Sequence, residues 1–230
     1  MAGESSDARV GARGGWRGGP YRYGVVLTLI LASLAFQLGA PDRDWARLVT
    51  IGLQGVTLLI ALEVSPVHRW IVRAARVVVV AAFLSTTAAL IGFGVLGPTA
   101  ARAVTVLLVA LAPIAIVRGV LIEVRGEAGV TLHTMFGVLC IYLLLGSIFA
   151  FAYGLVGSGS SGSFFAQRAA ENQHNFLYFS FQTMTTVGYG DLTAATDLGR
   201  SLAITEALIG QIYLVTVVAA FVGGLGSRRA

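Results

Sequence analysis

Six apolar segments divide this chain, each near the ~20 residues with which an α-helix crosses a bilayer. They cover 24–38, 45–62, 77–101, 103–122, 130–156 and 202–225. A soluble domain that is 56% hydrophobic and 12% charged, with a mean hydropathy of +0.81, could not cover so much apolar surface. The pattern predicts an all-α membrane protein with about six transmembrane helices. The second and fourth segments are short as uncharged runs, so Arg47 and Arg118 are expected to snorkel toward the headgroups. Gly97-Pro98-Thr99 separates the third segment from the fourth and favours a tight hairpin of antiparallel helices.

Charge sets the orientation. All 16 basic residues are arginine. With a cytoplasmic N-terminus, the outer segments hold only Arg43, Arg47, Arg102, Arg168 and Arg200, and the other eleven face the cytoplasm, as the positive-inside rule requires. The net charge of +5 therefore reports membrane topology rather than a nucleic-acid partner. The lack of lysine, with the richness in Ala, Val and Gly, suggests a GC-rich bacterial genome. The expected location is the cytoplasmic (inner) membrane of a bacterium, multi-pass, with both termini cytoplasmic. A basic start before the first apolar segment also resembles a signal peptide. Leu38, however, stands where cleavage after Ala40 would want a small residue, so the segment is read as a retained span. Cys140 is the only cysteine, which excludes an intrachain disulfide. His68, His133 and His174 are too far apart in sequence for a metal-ligand motif.

Between the fifth and sixth segments runs Thr185-Thr186-Val187-Gly188-Tyr189-Gly190-Asp191. Gly188 and Gly190 can take the positive-φ conformations that turn successive carbonyls toward one axis. Val187 and Tyr189 would then point away from that axis and brace the loop, while the Thr186 hydroxyl adds an innermost oxygen. Such backbones from four chains supply, in stacked layers, the about eight oxygens that a dehydrated potassium ion needs. The run resembles the T-V-G-Y-G selectivity-filter signature of potassium channels, with its usual preceding Thr and following Asp. On these residues the chain resembles a subunit of the bacterial potassium channel family. The resemblance implies potassium bound at Thr186, Val187, Gly188 and Tyr189, with Gly190 completing the filter. One copy of the filter per chain implies a homotetramer in the lipid bilayer. No cofactor is expected beyond the permeant ion, and no enzyme activity.

Residues 130–226 follow the order outer helix, Gly/Ser turret at 157–163, pore helix, filter, inner helix, which resembles the pore module of these channels. Asn172 can cap a short re-entrant helix over 173–185, whose C-terminal carbonyls would favour a cation at the membrane centre. Relatives often carry adjacent tryptophans and a Glu in this helix, tied to the Asp after the filter. Here the matching positions are Tyr178, Phe179 and Gln182. Tyr178 can donate to Asp191, and Gln182 can offer an amide–carboxylate bond in place of a carboxyl pair. In the inner helix, Glu206 is an ionisable residue about five positions into an apolar run. At the height of the pore helix, it is expected to support the filter through pore-helix hydroxyls or backbone; reaching external water is the alternative. Gly210 lies 19 residues past Asp191, by number, where related channels carry a hinge glycine; close helix packing is the other reading. Leu214, Val218 and Val222, at i, i+4 and i+8, would line the inner cavity.

The first four spans do not match a voltage sensor. No charge lies between Arg102 and Arg118, and Arg73 and Arg76 sit at the cytoplasmic end of the third span. The expected organisation is a disordered tail at 1–22, a four-helix membrane domain at 23–122 acting as scaffold or degenerate sensor, a cytoplasmic linker at 123–129, the pore module at 130–226, and a tail at 227–230. No cytosolic ligand-binding domain is expected after the sixth span. The predicted function is passive potassium conduction. The rivals are a potassium transporter subunit and a non-conducting regulatory membrane subunit.

Overall fold

The computed structural model describes residues 22–41, 43–64, 131–160 and 162–226, with scattered positions at 73, 76–77, 79–81, 84, 87, 116–117 and 120–121. Most of the third and fourth apolar segments, the 123–129 linker and the terminal tails lie outside the described residues. Among the described residues, all regular structure is helical apart from one isolated antiparallel pairing of Phe165 with Ala194. The elements are α1 (Arg22–Gly39), α2 (Asp44–Val64), α3 (Leu132–Gly159), α4 (Gln173–Met184) and α5 (Asp197–Ile212). A π-helical turn (Tyr213–Val218) and α6 (Ala219–Gly226) continue α5. Among the described residues, two helices are long and apolar enough to cross a membrane: α3, and the continuous helix over Asp197–Gly223. Shorter apolar helices cover Tyr23–Gly39 and Leu48–Leu62.

Each end has a local cause. Thr131 opens α3 with a reciprocal cap: its hydroxyl accepts from the Thr134 amide at 3.2 Å, and the Thr134 hydroxyl accepts from the Thr131 amide at 2.8 Å. Asn172 Oδ1 accepts from the Asn175 amide at 2.9 Å and starts α4. Thr196 caps α5 through Gly199 N at 3.1 Å. The glycines read as part of a loose turret behave otherwise. Gly157–Gly159 remain in α3, and the turn comes only at Ser160, whose amide and hydroxyl both donate to Gly157 O, at 3.4 and 3.1 Å. A Cβ on Gly157 would stand 2.7 Å from the Glu171 carboxylate and 3.3 Å from Phe164 and Phe176, so close packing selects glycine there.

Packing follows from apolar spacing. Tyr23, Val26, Ile30 and Leu34 bury one stripe of α1, which lies against α2 and α3. Gln54 Nε2 on α2 donates to Gln37 Oε1 on α1 at 3.4 Å, a polar tie inside an apolar interface. α3 packs on α4, and α4 on α5, so the 12-residue α4 is held between the two long helices.

Candidate functional site

The 185–191 segment hangs from the last turn of α4. Thr186 N donates to Thr183 O at 3.0 Å, while Val187 N and Gly188 N both donate to Gln182 O, at 2.9 and 3.2 Å. From there the backbone alternates. Thr186, Gly188 and Gly190 have φ of +57°, +53° and +80°. Glycine takes such values freely, but a β-branched threonine does so at a cost of roughly 1–3 kcal/mol. The three amide bonds beside it hold Thr186 there. Among the described residues, the carbonyls of 186–190 accept no hydrogen bond. Five consecutive carbonyls, three of them on left-handed residues, are thus left free for another partner. Val187 and Tyr189, read as bracing side chains, meet no wall within one chain: they are 50% and 73% exposed.

Behind the segment lies an aromatic cluster. Phe179 meets Tyr153 edge-on at 5.0 Å, Phe164 packs on Phe176 at 5.4 Å, and Phe165 stacks on Phe176 at 5.2 Å. It joins α3, the 160–172 loop and α4. Tyr178 OH donates to Asp191 Oδ2 at 2.9 Å, a bond that holds the phenol above its ordinary pKa and keeps it a donor. Gln182 does not reach Asp191. Its Nε2 sits 3.5 Å from Leu192 O, a marginal bond, and its buried Oε1 has no partner among the described residues. The outer loops are tied across the chain instead. Ala166 N donates to Thr193 O and Ala195 N to Phe164 O, at 2.9 and 2.8 Å, while Gln167 and Thr193 exchange two further bonds at 2.9 Å.

Glu206 is fully buried, as are Tyr153 and Ser180. Tyr153 OH, on α3, donates to Glu206 Oε2 at 2.5 Å. Ser180 Oγ, on α4, lies within hydrogen-bond reach of Glu206 Oε1 and 2.6 Å from Gly146 O on α3. One carboxyl therefore joins α3, α4 and α5, and its burial is tolerable because both oxygens are engaged. Gly210 is packed rather than free: a Cβ there would lie 2.7 Å from both Met184 Cγ and Met184 O. Gly146 faces the same methionine from α3, where a Cβ would be 2.9 Å from its Cε. The residue after Gly210 meets the segment itself, since Gln211 Nε2 donates to Thr186 Oγ1 at 3.3 Å.

Leu214, Val218 and Val222, read as cavity-lining, lie on the continuous helix over Asp197–Gly223. Val218 packs against the chain's own core and Val222 is 54% exposed. Residues 213–218 form a π-helical turn. The Thr216 hydroxyl donates to Ile212 O, and Tyr213 OH donates to Val138 O at 2.7 Å. Residues that sequence reasoning passed over are Tyr153, Ser180, Met184 and Gln211. Only Ser180 carried a local signal, as a hydroxyl in the helix expected to face Glu206. Among the described residues no group of three or more His, Cys, Asp or Glu side chains is placed to hold a metal.

A family model described as "Ion channel" matches residues 137–225, which takes in most of α3, all of α4, the 185–191 segment and nearly all of the inner helix. The "Probable potassium channel protein 2" of Methanocaldococcus jannaschii is 45% identical over 49 residues, covering 20% of this chain and 14% of that protein. The match thus spans a small part of its relative's length. No solved structure matches. The matched region is thus similar to an ion-channel module, and a 49-residue stretch of the chain to part of a potassium channel protein.

Proposed function

We propose that this chain is one subunit of a homotetrameric, potassium-selective channel that conducts passively across the cytoplasmic membrane of a bacterium. The observation that carries this reading is the run of unpaired carbonyls at 186–190 with positive φ at Thr186, Gly188 and Gly190. Lipid gives such carbonyls no partner, at several kcal/mol apiece, so backbone of this kind must line an aqueous or ion-filled path. Four copies around one axis turn the carbonyls into stacked rings and bring neighbours against Val187 and Tyr189. At 12 residues, α4 is about 18 Å long, too short to cross a ~30 Å hydrocarbon core, which favours a re-entrant pore helix. Tyr178 and Asp191 then brace the outer end of the filter, Gln182 its middle, and Glu206 the pore helix from behind. Gly210 serves first as the point where the inner helix touches the pore helix. The first four of six spans act as scaffold around the pore module.

The test is selective flux. Purified protein in liposomes should pass potassium rapidly and electrogenically without an energy source, with reversal potentials that rank potassium and rubidium far above sodium. Gly188→Ala puts a Cβ on a backbone at φ +53° and should abolish the selective current. Equal sodium and potassium permeability in the unmodified protein would sink the reading.

A further inference from the structure

We infer that Gln211 is a positioning residue for the innermost cation ligand, fixing the Thr186 hydroxyl so that a lone pair stays turned to the ion. The inference rests on the channel reading above. Its structural basis is the contact at Gly210. Because that glycine carries no Cβ, α5 comes against the Met184 carbonyl at the end of α4, and the next side chain falls opposite Thr186. Gln211 Nε2 then donates to Thr186 Oγ1 at 3.3 Å. A threonine hydroxyl has one hydrogen and two acceptor lone pairs, and a free rotor would present its hydrogen to the ion part of the time. An amide hydrogen occupying one lone pair drives the hydroxyl hydrogen elsewhere and leaves the second lone pair for a cation. The same bond steadies a residue already held in a costly conformation at φ +57°. The Gln211 carbonyl oxygen has no partner among the described residues. In a tetramer, four such oxygens would face the ion's hydration water just inside the filter.

Barium, a divalent ion of nearly potassium's size, probes that inner position. Gln211→Met and Gln211→Leu both keep side-chain bulk and remove the donor. Either should weaken barium block from the cytoplasmic side by about tenfold, the order expected for one lost hydrogen bond, and lower the unit potassium conductance. The potassium-over-sodium permeability ratio reports whether the filter as a whole has loosened, and it should hold. Unchanged inner block overturns the inference. So does a collapse of selectivity along with the block, or loss of assembly in both variants, since each assigns Gln211 a merely structural role. If the wild-type protein passes no potassium, the channel reading falls and this inference with it. Wild-type current with unchanged block removes this inference alone.

Discussion

Ser180 has one hydroxyl hydrogen and two oxygens within its reach, Gly146 O and Glu206 Oε1. A residue at 206 that itself donates toward Ser180 lets Ser180 donate on to Gly146, while Tyr153 still donates to the second oxygen. Glutamine has that pattern. Glu206→Gln should therefore keep selective conduction and tetramer stability. Glu206→Leu leaves the buried Tyr153 hydroxyl without its acceptor, at about 1–3 kcal/mol, and should shorten openings and lower the melting temperature. Single-channel recording and thermal dissociation of the tetramer check both variants, and identical behaviour would deny the network a role. Part of this site was legible in the chain. Positive φ at Gly188 and Gly190 follows from residue type, and a carboxyl in an apolar helix announces a polar partner. Tyr153 was not legible, because it lies 53 positions upstream of Glu206 on another helix and nothing local marks it. Thr186 was not legible as a left-handed residue either, since its own preference opposes that conformation and only the bonds around it impose it.

Met184 ends α4 between two glycines, Gly146 on α3 and Gly210 on α5. Three helices are thereby gathered at the point where the 185–191 segment begins, and a flexible thioether fills the gap they leave. A hinge glycine and a contact glycine look alike in sequence, since each needs only the absence of a side chain. They differ when alanine is substituted. Gly210→Ala forces a methyl to within 2.7 Å of a backbone carbonyl that cannot swing aside. It should cost about 1–3 kcal/mol and lower the dissociation temperature of the assembly. At Gly223 nothing lies within 4 Å of the position a Cβ would take, and Gly223→Ala should be neutral or slightly stabilising. Stability that is untouched by Gly210→Ala, with altered gating alone, would restore the hinge. The start of α4 was readable from Asn172, whereas the Thr131 cap of α3 was passed over. The π-helical turn was not readable, because its cause is distributed. Thr216 bonds back to Ile212 O on its own helix while Tyr213 is pinned to Val138 O on α3, and the combination exists only after packing.

At the scale of the molecule, the second long helix is far less covered than the first: 11% of its central window is buried, against 56% for α3. Leu208, Ile209, Ile212, Val215 and Val222 are all exposed along it. In a soluble protein that face alone would demand a partner, but in a membrane lipid can cover it, so apolar exposure decides nothing about assembly. The polar groups decide. Among the described residues the carbonyls at 186–190 accept no hydrogen bond, and lipid could not satisfy them. A single copy of the segment per chain cannot encircle an ion, whereas closed cyclic symmetry completes the ring with identical copies. On the proposed channel reading, ions held by two layers of four carbonyls would require four chains, with the Asp197–Gly223 helices nearest the axis. Native mass spectrometry of the detergent-solubilised protein should therefore find four chains in the smallest species that restores potassium flux on reconstitution. Cross-linking through a cysteine placed at exposed Leu208 should yield dimers up to tetramers and nothing larger. A monomer or dimer that carries flux by itself would refute the ring, and with it the assignment of the 186–190 carbonyls as ion ligands.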